Sequence, residues 1–273
     1  MKLADDIYWT CPRCLLSALP FAVSNIELVN NLSIVNSTQT TETMGQLLHS
    51  ANTCSPKPAY GSGKFRCLLA NARSLRNKLL DFQAAVYGAD FDIIAVTETW
   101  LNLCILDHEI LPSGYQLHRK DRQDRRGRGI LFASRSDHVV IRRNDLETDC
   151  ELMWNELQTA SGLKILFGTF YRPPNTGKDY LLLLQESCSR INYFNFNKIC
   201  LVGDFNLPNF DWINQIPLSS DQLYLKTYEI TNDLFLTQVN TFATRDKNIL
   251  DLVLTSMPNL VTDLSMSEGF LTF

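Results

Sequence analysis

The feature that most constrains this chain is a recurring one: short apolar runs, rich in β-branched and aromatic residues, several of which close on a polar side chain. Seven stand out: FRCLLANARS (65–74), FDIIAVTETW (91–100), GILFAS (129–134), ELMWNELQTA (151–160), KILFGTFYRPP (164–174), KICLVGDFN (198–206) and ILDLVLTS (249–256). Runs of this length and composition form strands. Two longer segments carry apolar residues at helical spacing, LRNKLLDFQAAVYG (75–88) with a glycine stop and DYLLLLQESCSRINYF (179–194). Strands outnumber helices and the crossovers are irregular. The pattern therefore points to an α/β (α+β) fold, a two-sheet β-sandwich flanked by helices, and away from a regular Rossmann alternation.

The polar residues at the ends of these runs carry the chemistry. Glu98 follows an apolar run, and Tyr171 and Arg172 precede two prolines that stop their strand. Asp204 and Asn206 end a third run, Asn71 holds the same relative point in LLANARS, and Asp251 opens NILDLVLT. Buried without partners, such groups would cost about 1–3 kcal/mol each. A shared pocket at one edge of the sheets accounts for all of them.

The set suits metal-assisted phosphodiester hydrolysis. A carboxylate such as Glu98 can hold Mg²⁺, a hard cation that takes oxygen ligands and keeps several waters. The metal polarises a phosphate oxygen and stabilises the leaving alkoxide. Asp204 can orient and deprotonate the attacking water, with Asn206 fixing it, and Tyr171 can donate a hydrogen bond to the phosphate. Taken singly, each residue has an ordinary reading. Glu98 could be a solvated strand end, GDFN a turn, and YRPP a strand exit. Trp100, Trp154 and Trp212 read as core aromatics.

The net charge of −4 gives no global attraction to nucleic acid, but the segment 119–143 holds nine Arg or Lys against three Asp. Arg119, Lys120, Arg122, Arg125, Arg126 and Arg128 are accordingly candidates for phosphate contact, a solvated loop being the alternative. The eight cysteines are scattered, several within apolar runs, as reduced core thiols are. No run of about 18 apolar residues is present, so no membrane span is expected. MKLADD before CLLSALPFAV lacks the basic start of a signal peptide. The expected setting is intracellular. Cys11 and Cys14 have zinc-knuckle spacing without a second pair nearby, so Zn²⁺ is not expected in this form. Residues 22–63, rich in Asn, Ser and Thr, read as a flexible linker ahead of a main domain at 64–273.

In combination and in order, NARS, VTETW, FYRPP, LVGDFN and ILDLVLT resemble the endonuclease domain of non-LTR (LINE-type) retrotransposons. That domain belongs to the endonuclease/exonuclease/phosphatase superfamily, with apurinic-site endonucleases and pancreatic-type DNase. The resemblance runs from about Lys64 to the C-terminus. It implies a DNase-I-like sandwich and a Mg²⁺ cofactor, with Mn²⁺ as a substitute. The implied partner is double-stranded DNA, nicked to expose a 3′-hydroxyl that primes a reverse transcriptase domain further along the chain, in the nucleus. Carried over position by position, Asn71 supports the site, Glu98 ligates the metal and Tyr171 contacts the phosphate. Asp204 and Asn206 manage the nucleophilic water, and Asp251 orients a catalytic histidine.

The family closes on a Ser-Asp-His motif, shortly after a segment like SEGF, whereas this sequence reads MSEGFLTF. His49, His108, His118 and His138 all precede GDFN and read as surface or linker residues. The resemblance thus leads to the expectation of a C-terminally truncated domain, its final strand missing and its nicking impaired. The alternative is a catalytically dead fragment with at most DNA-binding capacity. WTCPRCLLSALPF also looks like the last turn of a PHD-type finger, a remnant at 1–21. A phosphatase acting on small substrates is a third reading, against which YRPP and LVLTS speak.

Overall fold

The computed structural model describes residues 22–29, 64–111, 113–121, 128–158, 162, 164–192 and 195–267. Cys11, Cys14, Arg122, Arg125 and Arg126 lie outside the described residues. In chain order the strands begin with β1 (Ala22–Val29), β2 (Lys64–Asn71), β3 (Ile93–Thr97), β4 (Tyr115–Lys120), β5 (Ile130–Arg135) and β6 (Val139–Arg142). They continue with β7 (Glu151–Gln158), β8 (Lys164–Tyr171), β9 (Ile199–Asp204), β10 (Phe210–Asp211) and β11 (Ile216–Pro217). The last are β12 (Thr237–Gln238), β13 (Asp251–Thr255) and β14 (Ser265–Ser267). The helices are α1 (Leu79–Ala89), α2 (Asp107–Ile110), α3 (Lys178–Ser189) and α4 (Gln222–Asp233).

Two six-stranded sheets form, ordered β14-β1-β2-β3-β5-β4 and β12-β13-β9-β8-β7-β6, with β10 and β11 paired in a separate hairpin. Within each large sheet one pair is parallel, β2 with β3 and β8 with β9. These are the pairs whose crossovers carry α1 and α3, since parallel neighbours need a long return connection.

Alternation along the strands sorts side chains into three layers. Cys67, Leu69, Ile93, Ala95, Ile130 and Phe132 of the first sheet face Met153, Phe167, Cys200, Val202 and Val253 of the second. The opposite parity of the first sheet, including Leu68, Ile94 and Val96, packs on Phe82, Ala85 and Val86 of α1. That of the second, including Trp154, Leu201 and Leu252, packs on Leu181 and Leu184 of α3 and on Ile230 of α4. Buried on both faces, the central strands read as continuous apolar runs. The two-sheet sandwich flanked by helices is the architecture the sequence pattern called for.

Some expectations need correcting. Ala22–Val29 falls inside the segment read as a linker, yet it pairs with both β2 and β14. A bulge between Ser24 and Ile26 interrupts its alternation and hides it in the sequence. Helix α1 ends one residue beyond Gly88, on Asp90 in a left-handed conformation (φ 54°) whose carboxylate pairs with Arg135 at 2.8 Å. His118 is a half-buried residue between the sheets, with Nδ1 2.6 Å from Asn155 Oδ1 and its ring over Phe132. Trp154 and Trp212 are buried as expected, but Trp100 is 39% exposed.

Candidate active site

Parity places the site. Asn71, Tyr171, Asp204 and Asp251 continue the inward series of Cys67 and Leu69, Ile165 and Phe167, Cys200 and Val202, and Val253. Each lies at the same rim of the sandwich, where β2, β8 and β9 end and β13 begins. In register, Tyr171 is paired with Asp204 and Asp204 with Asp251. Glu98 is the first residue after β3, whose Thr97 pairs with Asn71.

The side chains meet across the gap between sheets. Asn71 Nδ2 donates to Glu98 Oε1 at 2.9 Å and to Asp204 Oδ2 at 2.8 Å. Its Oδ1 accepts from the Arg73 backbone at 3.2 Å, which fixes the amide the right way round. The Tyr171 hydroxyl hydrogen-bonds to Glu98 as well. Asp204 Oδ1 accepts from the Asn206 backbone at 3.0 Å, and Asn206 Nδ2 donates to the Arg172 carbonyl at 2.8 Å. All six residues nominated for catalysis and metal binding thus belong to one constellation.

Its electrostatics follow from burial. Asp204 is fully buried, and desolvation pushes its carboxyl well above the usual range, aided by Asp251 and Glu98 and opposed by Arg245. Desolvation also raises Asp251, against the Thr244 hydroxyl bonded to it and the positive charge of Arg245. Two carboxylates side by side in a dry rim do not both ionise readily without a cation. Burial, together with Glu98 and Asp204, raises the Tyr171 phenol, so it remains a proton donor at any working pH.

The backbone at this rim is strained where it has to aim side chains. Glu98 (φ 51°), Trp100 (52°), Arg73 (42°) and Asn206 (49°) occupy the left-handed region. Such positions persist where surrounding structure over-determines them. Here bonds from Ala72 to Thr97, Ser74 to Glu98 and Leu75 to Thr99 continue the β2–β3 ladder past the strand ends, at 2.8–2.9 Å. Gly203, just before Asp204, has φ 140°, and a Cβ there would lie 1.8 Å from the Phe170 carbonyl oxygen. Only glycine allows β9 to approach β8 this closely.

The donor set suits a hard cation. Among the described residues no group of three or more His, Cys, Asp or Glu side chains is gathered as a metal cage. Mg²⁺, however, commonly takes one or two carboxylates and completes its shell with water. Glu98 offers one such carboxylate, and Asp251 Oδ1 is buried without a hydrogen-bond partner. A groove of about 400 Å³ lies elsewhere, between α3 and α4, and includes none of these residues.

The basic candidates are placed differently. Arg119 donates to the Ile105 and Asn102 carbonyls and pairs with Asp107 and Asp121. Lys120 Nζ is ringed by the carbonyls of Thr148, Cys150 and Leu152. Arg128 Nε lies 3.7 Å from Glu151 Oε1. These three cations hold loops together. Sequence reasoning passed over Thr244, whose Oγ1 accepts from the backbones of Leu250 and Asp251 at 2.8 and 3.0 Å. It also passed over Arg245, whose charge acts on both aspartates. Apart from their closeness to Asp251 in the chain, no pattern marks them.

No protein-family model and no curated protein matches the sequence. Solved structures do. The endonuclease domain of TRAS1, a telomere-specific non-LTR retrotransposon, superposes with a TM-score of 0.52 at 15% identity, over 70% of this chain and 84% of that one. The chain has the fold of a non-LTR retrotransposon endonuclease domain. The Xenopus laevis APE2 catalytic domain follows at 0.46 and 14% identity, over 68% of this chain and 80% of that one. An AP endonuclease from Archaeoglobus fulgidus overlaps at 0.45 and 13% identity, over 70% and 86%. The two-sheet sandwich flanked by helices that the sequence leads one to expect is the fold observed. No helix among the described residues is long and apolar enough to cross a membrane.

Proposed function

We propose that this chain is a divalent-metal-assisted phosphodiesterase that nicks one strand of duplex DNA, as a retrotransposon endonuclease does to expose a priming 3′-hydroxyl. The observation that carries the reading is the Asn71 amide, which binds Glu98 of one sheet and Asp204 of the other. It brings a candidate metal ligand and a candidate base within reach of one phosphate. Glu98, with water, would hold Mg²⁺ or Mn²⁺. When bound, the cation supplies charge neutralisation at a phosphate oxygen and at the departing O3′.

The protein groups do the rest. Asp204, raised by burial, takes a proton from the water whose oxygen attacks phosphorus; the P–O3′ bond breaks, and the departing O3′ takes a proton from solvent to become the hydroxyl. Asn206 has its Nδ2 engaged by Arg172, so its Oδ1 is the atom that can orient that water. Tyr171 donates to a non-bridging oxygen. A reverse transcriptase using the exposed 3′-hydroxyl is the partner this reading implies, and Arg122, Arg125 and Arg126 are its candidates for backbone phosphates.

Conversion of supercoiled plasmid to open circles in Mg²⁺ tests the reading. Nicking that EDTA stops, and that Asp204→Ala and Glu98→Ala each lower by about 10³-fold, is the expected result. A second reading, DNA binding without hydrolysis, is favoured by one observation. Among the described residues no imidazole lies beside Asp251, whose Oδ1 has no hydrogen-bond partner. Salt-dependent DNA binding by a wild-type chain that leaves plasmid intact would establish that second reading.

A further inference from the structure

We infer that Arg172 is the positioning residue of this site. Its buried guanidinium locks the Asp204–Asn206 turn in the conformation that presents base and amide to the water. The inference rests on the phosphodiesterase reading above.

Arg172 is only 3% exposed, just past the end of β8. Its Nη1 donates to the carbonyls of Asn206 at 2.9 Å and Phe205 at 3.4 Å, and its Nη2 to that of Thr176. The turn grips back. Asn206 Nδ2 donates to the Arg172 carbonyl at 2.8 Å, and the Arg172 backbone N–H donates to the Asp204 carbonyl at 2.8 Å. Two segments from neighbouring strands are thus tied by bonds in both directions. Asn206 itself is held at φ 49°, a conformation that needs outside support.

The sequence after Arg172 completes the device. Pro173 and Pro174 end the strand, Asn175 takes a left-handed conformation (φ 63°), and Thr176 Oγ1 donates back to the Pro173 carbonyl at 2.8 Å. That turn carries the Thr176 carbonyl to the far arm of the guanidinium. Every hydrogen bond of the side chain goes to a main-chain carbonyl. A desolvated cation without a hydrogen-bonded carboxylate is an expensive way to fill space, and an apolar side chain would fill it more cheaply. A planar fork reaches both loops with two arms at a fixed separation and angle, which the point charge of a lysine ammonium does not reproduce. Its acceptors lie in the catalytic turn itself and in the loop that follows β8.

The test compares wild type, Arg172→Ala and Arg172→Lys. In plasmid nicking, both variants should lose at least 100-fold in kcat with KM changed less than about threefold. Millimolar guanidinium should restore Arg172→Ala at least tenfold and leave Arg172→Lys unrestored. In the metal-free protein, amide hydrogen exchange at Asn206 should quicken at least tenfold in both variants, while Val202 and Val253 stay protected. Arg172→Lys with wild-type kcat overturns the inference, as does Asn206 exchange unchanged in a folded variant. A wild-type chain that does not nick overturns the functional reading alone, and the exchange measurement then decides the role of Arg172. If Arg172→Ala does not fold, Arg172→Lys carries both measurements.

Discussion

Asn71 gives both protons of one amide to carboxylates that belong to different sheets. An alanine there would leave Glu98 and Asp204 to repel each other across the rim, whereas an aspartate would add a third negative charge. The Asp204–Asp251 pair has the opposite character: adjacent and buried, with Asp251 helping to raise Asp204. In the metal-free protein near neutral pH, replacing one member with a neutral amide removes that repulsion. Asp251→Asn should therefore raise Tm of the metal-free chain by several degrees, at about 2–4 °C per kcal/mol for a domain of this size, while lowering nicking. Thermal melts in EDTA check it, and an unchanged or lowered Tm would show that the pair is already satisfied. The gain reflects the usual opposition between a stable core and a charged site.

At the level of elements, β9 does most to define the rim, and Gly203 is its critical position. Gly203→Ala should destabilise the chain by on the order of 3 kcal/mol or more, since the new methyl would collide with the Phe170 carbonyl. Gly177→Ala, at the start of α3 with open space around it, should change stability by only a few tenths of a kcal/mol. Chemical denaturation of the two variants compares them directly. The strands legible in the sequence were those buried on both faces, whose apolar runs are unbroken. Strand β4, YQLHRK, escaped notice because it is a half-buried sheet edge whose charged residues merged with the basic segment. Strand β6 alternates between exposed and half-buried at the opposite edge, and α4 buries Thr227 and Thr231, where a core-facing helix usually shows Leu. Asp204 and Asp251, the candidate carboxylates that lie within strands, were legible for a related reason. A charged residue ending an apolar strand keeps the inward parity of its neighbours, so its destination can be counted along the chain. The roles of Thr244 and Arg245 depend on how a loop folds back, which no periodicity encodes.

At the scale of the whole molecule, the described part of the basic segment is largely paired within the fold. Arg142 meets Glu147 with both arms of its fork, and Arg143 spans Asp145 and Glu156. With Arg119 and Lys120, these cations tie the β4 edge to the loops around it. Arg119→Ala and Lys120→Ala should consequently lower stability and leave the salt dependence of DNA binding unchanged. The triple variant Arg122→Ala, Arg125→Ala, Arg126→Ala should do the reverse, reducing the slope of log K against log salt by up to about 0.9 per lost phosphate contact. Binding titrations across salt, run beside thermal melts, separate the two groups. If the single variants flatten the slope, the internal pairing described above gives way when DNA is present.

The Asn71 amide that joins the two halves of the rim has a mechanical consequence. Hydrogen bonds weaken steeply once donor and acceptor leave their narrow range of distance and angle. A slippage of one β-layer past the other by an ångström would break contact with one carboxylate while leaving the hydrophobic interior intact. The molecule would then fall silent well before it melted, which makes its chemistry a sensitive gauge of how its layers are aligned.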